Sequence, residues 1–119
     1  MGARTVWIIK TSDEHALHVY GHWAGEFKIT RTQRALAYAR GRWSDESYCA
    51  RIFLSQLIED DWDTETGWGM MAGHPDSVMF EEEYVPVTLD VIARTITVSG
   101  RIMTYQEFLD TEATELGGR

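Results

Sequence analysis

Three histidines fall within eight positions, His15, His18 and His22. In an extended strand His18 and His22 share a face but stand roughly 13 Å apart, too far to ligate one metal ion. No cysteine or carboxylate is spaced to complete a zinc site, so neither a metal nor another cofactor is expected. His18, His22 and Arg51 remain candidates for binding a small molecule or nucleotide through imidazole and guanidinium groups. Asp61-Trp62-Asp63-Thr64-Glu65-Thr66-Gly67 has the opening rhythm of a calcium loop, but Thr66 replaces the glycine at its sixth position and Ala72 the bidentate glutamate at its twelfth. A solvated acidic loop following a helix is the better reading. Glu26-Phe27-Lys28 resembles half of a nuclease carboxylate and lysine pair, without the acidic strand residue that should precede it. Gly67-Trp68-Gly69 and Gly21-His22-Trp23 lack the strand, loop and helix order of a phosphate cradle. No serine or cysteine has a base near it in sequence, and no catalytic residue is assigned.

Charge is distributed more tellingly. Lys28, Arg31, Arg34, Arg40 and Arg42 form a stretch with no acidic residue, whereas Glu59 to Glu83 carries nine acids and no lysine or arginine. The two blocks either bridge within the monomer or provide complementarity toward a partner, which sets orientation and on-rate more than affinity. Five tryptophans in 119 residues are many, and tryptophan is enriched at interfaces. Partner-binding candidates are therefore Trp23, Arg31, Arg34, Arg42, Trp43, Trp62 and Trp68.

The net charge of −8 disfavours direct contact with nucleic acid or anionic membrane, though an acidic mimic of nucleic acid is compatible with it. No apolar run reaches the ~20 residues of a membrane span, and the N-terminus lacks a secretory signal. Met1-Gly2 invites a myristoylation motif that Val6 breaks. The single cysteine, Cys49, reads as a buried, inert thiol of a reducing cytosol.

These groups must be held by a fold, and the stretch 44–59 organises it. Ser44 is a plausible N-cap, with Asp45 and Glu46 matching the positive end of the helix dipole. Cys49, Ala50, Phe53, Leu54 and Leu57 share a wide apolar face, and only Arg51, Ser55 and Glu59 form a polar stripe, so the helix is expected to be enclosed. A shorter helix from Thr30 or Thr32 to Arg40 precedes it. Thr5–Lys10, apolar in succession, suits a strand covered on both faces, and Ala16–Trp23 alternates as its hairpin partner. Thr66–Ala72 is a candidate third strand. Tyr84–Val91 and Arg94–Ser99 make a second hairpin, with Pro86 near an edge or strand start. Thr104-Tyr105-Gln106-Glu107 is a capping box, with Met103 placed to staple on Phe108.

The reading is a single α+β domain over 1–110: a mainly antiparallel sheet of about five strands packed on a buried central helix with one or two shorter helices. Residues 111–119 are expected to be a flexible tail.

Several short segments together resemble a family of short proteins from phages of actinobacteria. They are Tyr20-Gly21-His22-Trp23-Ala24-Gly25, Arg42-Trp43-Ser44-Asp45, Tyr48-Cys49-Ala50-Arg51, Thr66-Gly67-Trp68-Gly69, and the final strand pair leading into Tyr105-Gln106-Glu107-Phe108-Leu109. The resemblance implies a phage origin and a place in the cytoplasm of an infected bacterium, and carries over no activity. The expected function is that of a non-enzymatic phage accessory protein binding a host or defence protein, with a homodimer as a further expectation. The alternatives are a small-molecule or nucleotide-binding protein or hydrolase, and the acidic mimic.

Overall fold

In the computed structural model, residues 4–81 and 85–118 are described. The start of the second hairpin at Tyr84, the acids Glu82 and Glu83, and the terminal residues Met1, Gly2 and Arg119 lie outside them.

The fold is α+β. Six strands form one mixed sheet in the order β3-β2-β1-β4-β5-β6. They are β1 (Thr5–Lys10), β2 (Ala16–Gly21), β3 (Trp68–Gly73), β4 (Val87–Asp90), β5 (Thr95–Val98) and β6 (Arg101–Thr104). Only β1 and β4 pair in parallel, Trp7 opposite Val87 and Ile9 opposite Leu89. The helices are α1 (Lys28–Tyr38), α2 (Glu46–Leu57) and α3 (Tyr105–Asp110). No helix among the described residues is long and apolar enough to cross a membrane.

Register explains the core. Paired residues present their side chains on the same side of a sheet, so two apolar rows cross it. Val19, Trp7, Val87 and Val98 make one row, and Leu17, Ile9, Leu89, Ile96 and Met103 the other. Both rows pack against Leu36, Phe53, Leu57 and Phe108 from the helices. On the opposite side Val6, Ile8 and His18 are also buried. Residues 77–81 lie over them, with Phe80 stacked on Tyr20 at 5.3 Å. β1 is thus covered on both faces, as its uninterrupted apolar run implies.

Trp7 fastens α1 to the sheet. Its ring is fully buried, and Nε1–H donates to Thr32 Oγ1 at 2.9 Å. The same hydroxyl donates to the Lys28 carbonyl at 2.6 Å. Thr32, read from the sequence as a possible cap, is instead an interior residue one turn inside α1, which begins at Lys28 with no side-chain cap.

The central helix is shorter than 44–59, and Asp45 rather than Ser44 occupies its N-cap position. Its fully buried stripe is Cys49, Phe53 and Leu57. Ile52, Leu54 and Ile58 are half-buried, and Tyr48 and Arg51 are exposed. A chain of this size builds one helical layer on the sheet, so the outer side of α2 meets solvent rather than a second layer.

The sixth strand went unread because β6 has one inward residue, Met103, beside exposed Arg101, Ile102 and Thr104. It joins β5 through Ser99 and Gly100, both at positive φ, the backbone of a tight two-residue hairpin turn. The capping box forms in full: Thr104 Oγ1 accepts from the Glu107 amide at 3.1 Å and Glu107 Oε1 from the Thr104 amide at 2.8 Å. The stretch read as a tail carries a 3-10 turn, Ala113–Leu116. Gly117 follows at φ 82° and lets the Gly118 amide reach back to the Ala113 carbonyl. Gln33 of α1 donates to the carbonyls of Phe108 and Thr111, and Leu116 packs on the core.

Replacing Thr32 with valine keeps volume but strands the buried indole N–H. Urea denaturation of Thr32→Val should show a loss of about 1–3 kcal/mol, and an unchanged midpoint would deny the Trp7–Thr32 bond its role.

Candidate functional site

The first turn of α1 separates two cavities, and the basic residues on it face different surroundings. Toward α2 and β3 lies a cavity of about 400 Å³ lined by Trp23, Ala24, Arg31, Asp60, Asp61, Gly67 and Trp68. Arg31 is its central group. Nη1 donates to the Leu57 carbonyl at 3.0 Å and Nη2 reaches Asp60 Oδ2 at 3.4 Å. The guanidinium also lies 5.7 Å from the centre of the Trp68 ring. A cation at the C-terminus of α2 offsets the negative end of that helix, which answers the carboxylates that follow Ile58. Nε of Arg31 is enclosed with no hydrogen-bond partner among the described residues.

Trp68 closes the inner wall. Its Nε1–H donates to the Asp60 carbonyl at 2.7 Å, and its ring tilts against Trp7 at 5.9 Å. Gly21 is required behind it, since a Cβ there would stand 2.9 Å from the Trp68 ring. The outer rim is Trp23, 56% exposed, with the His22 ring set edge-on to it at 4.2 Å. Trp62, 68% exposed, follows Asp61 in the same loop.

The structure therefore gathers Trp23, Arg31 and Trp68 at one place, with His22 against Trp23 and Trp62 in the loop that supplies Asp60 and Asp61. The remaining candidates stand apart. Arg34 pairs with Glu59 at 3.0 Å. Arg42 lies 5.1 Å from the centre of the Tyr48 ring and 3.9 Å from Asp45. Trp43 is held inside the chain: Nε1–H donates to the Leu36 carbonyl at 2.9 Å, its ring meets Tyr105 edge-on at 5.1 Å, and Arg40 covers it at 4.6 Å. Arg51 points outward from α2.

His18 lies beneath the sheet, its Nε2–H donating to the His74 carbonyl at 2.9 Å. It lines an apolar cavity of about 270 Å³ with Val6, Ile8, Val78, Met79 and Phe80. His22 instead shares a 2.8 Å hydrogen bond with the Tyr20 hydroxyl. Among the described residues no three His, Cys, Asp or Glu side chains are grouped to hold a metal ion. Cys49 is buried, and burial pushes its thiol up, away from the reactive thiolate.

The second cavity, about 230 Å³, lies on the other side of α1 between the 25–28 segment, the beginning of β4, the end of β5 and the C-terminal turn. Lys28 lines it, and burial lowers its amine from 10.5 to about 8. Sequence reasoning weighed Lys28 only as part of the basic stretch and of a three-residue nuclease match. The available signal was scarcity: it is one of two lysines in the chain, the other being Lys10.

No protein-family model, curated protein or solved structure matches this chain.

Two stability measurements separate these roles. In urea denaturation Arg31→Ala should cost about 1.5–3 kcal/mol, because its bonds are partly sheltered and carry charge. Arg34→Ala should cost about 0.5 kcal/mol or less, its ion pair being open to water. For Lys28 the folded-state value lies below the unfolded one, so the unfolded chain binds more protons between about 8 and 10.5. The stability of the native protein relative to Lys28→Met should therefore rise with pH across that window and stay level below it. A flat difference would place the amine in water.

Proposed function

We propose that this is a non-enzymatic accessory protein of phage origin, acting in the infected bacterial cell by binding a host or defence protein. The observation that carries the reading is Trp23, largely exposed at the rim of the Arg31–Trp68 cavity, together with Trp62, largely exposed in the acidic loop that supplies Asp60 and Asp61 to that cavity. Tryptophan and arginine are the residue types that dominate binding energy in protein interfaces. A tryptophan left open to water loses the burial that normally stabilises it, and a partner that covers it restores that term. The phage setting rests on the sequence resemblance alone.

The charge pattern supports a protein partner over nucleic-acid mimicry. Asp60, Asp61, Asp63 and Glu65 bunch in one loop beside Trp62, and Glu59 and Asp60 are already engaged by Arg34 and Arg31. A mimic of a phosphate backbone calls for carboxylates spaced evenly along a surface. A second reading, binding of a small apolar molecule, is favoured by the cavity above His18 under residues 77–81.

The test is affinity capture from host lysate with the native protein and with the Trp23→Ala/Trp62→Ala double variant, followed by titration calorimetry with the purified captured protein. The double variant should fold normally and bind at least tenfold more weakly, while Tyr38→Ala, which removes another exposed aromatic, should bind as the native protein does. Equal affinity of the double variant would remove this surface from the function. Sedimentation across salt concentrations addresses the dimer: a charge-matched pair should loosen as salt rises.

A further inference from the structure

Lys28 sits in unusual company for a lysine. Its Nζ donates to the Val85 carbonyl at 2.6 Å and lies 6.0 Å from the centre of the Trp7 ring. No carboxylate of the described residues forms an ion pair with it, whereas Lys10 has both Asp90 at 3.5 Å and Asp13 at 3.7 Å. An ammonium group has three N–H donors, and among the described residues the Val85 carbonyl accepts from this one. Burial favours the neutral form relative to an ordinary lysine, and the side chain that donates to Val85 also lines the cavity. Desolvation without a counter-charge is the condition under which lysines serve as nucleophiles toward carbonyl compounds.

The cavity suits such a compound in size and lining. Cavities of about 150 Å³ admit a benzene-sized guest, and this one is about 230 Å³. Ile29, Val87 and Val98 supply apolar wall, while Ser99 and Glu26 supply polar groups at the same opening.

We propose that Lys28 is a carbonyl-reactive amine and that the cavity beside it holds a short-chain aldehyde or ketone as an imine. The nitrogen lone pair attacks the carbonyl carbon, and the carbonyl oxygen takes up a proton to give a carbinolamine. That oxygen then leaves as water while the carbon–nitrogen double bond forms and the nitrogen gives up its protons. The sum is amine plus carbonyl giving imine plus water, with no oxidant or reductant. Solvent at the cavity opening takes up and returns those protons. The site is separate from the Trp23–Trp62 surface, and either assignment stands without the other.

The test uses the full chain, butyraldehyde and cyanoborohydride near neutral pH, with peptide mapping of alkylated lysines. At pH 7.4 an amine titrating near 8 is about one-fifth neutral, against roughly one in a thousand for an ordinary lysine. Lys28 should therefore be alkylated at least tenfold faster than Lys10, with a rate that saturates in aldehyde. The ratio should fall to near one in denaturing urea. Lys28→Arg, which keeps a donor toward Val85, should fold and lose that adduct alone. Equal rates at Lys28 and Lys10 in the folded protein would overturn the proposal, and so would a preference for Lys28 that survives unfolding. A rate strictly linear in aldehyde would overturn the cavity as a binding site.

Discussion

The hydrogen bond from Trp7 to Thr32 is the constraint on which the arrangement of both cavities depends. Trp7 lies in β1, where β2 flanks it on one side and β4 on the other. An indole buried there must satisfy its N–H. It does so through a hydroxyl that itself closes back on the first turn of α1. That ties α1 to the sheet, and with it Lys28, whose amine lies 6.0 Å from the centre of the Trp7 ring, and Arg31, one turn on, beside Trp68. Trp68 packs against the same indole, so the start of β3 and the acidic loop before it are placed from the same point.

Much of the fold was legible because it follows from local patterns. The continuous apolar run of β1 announces a strand covered twice, and the alternation in β2, β4 and β5 gives two hairpins. The capping box at Thr104 states where α3 begins. What was not legible depends on tertiary position. β6 has one buried side chain in four, so alternation has nothing to work on. The cover over Val6, Ile8 and His18 comes from residues 77–81, a stretch without periodicity whose role exists only because the chain crosses beneath the sheet to pass from β3 to β4. The enclosure inferred for α2 overstated its apolar arc, because half-buried Ile52, Leu54 and Ile58 lie at the flanks of a stripe and not beneath a second layer.

The candidate site divides along the same line. Sequence could mark Arg31, Arg34 and the acids from Glu59 as complementary, and α1 and α2 bring them together inside one molecule. It could not rank the tryptophans, since exposure is a property of packing. Trp43 and Trp68 are tied by their N–H groups to backbone carbonyls within the chain, while Trp23 and Trp62 project outward. His18 lies in β2, whereas His22 falls one residue beyond its end, so the strand face expected to hold both carries His18 alone; His18 donates to the His74 carbonyl and His22 shares a hydrogen bond with the Tyr20 hydroxyl.

Lys28 and Arg31 are one turn apart on α1, and their different chemistry explains why each stands where it does. A guanidinium remains charged at any working pH and spreads its donors in a plane. Arg31 therefore suits a place with a helix-end carbonyl, a carboxylate and an aromatic face to receive it. A primary amine has the option a guanidinium lacks: it can shed its proton when too few acceptors surround it. The side of α1 that faces β4 and the C-terminal turn gives the Lys28 amine the Val85 carbonyl and, among the described residues, no ion pair, so burial lowers it. The same turn of helix thus presents a permanent cation to the acidic loop and an amine of lowered basicity to the opposite cavity, the first held by a carboxylate and the second desolvated without one among the described residues.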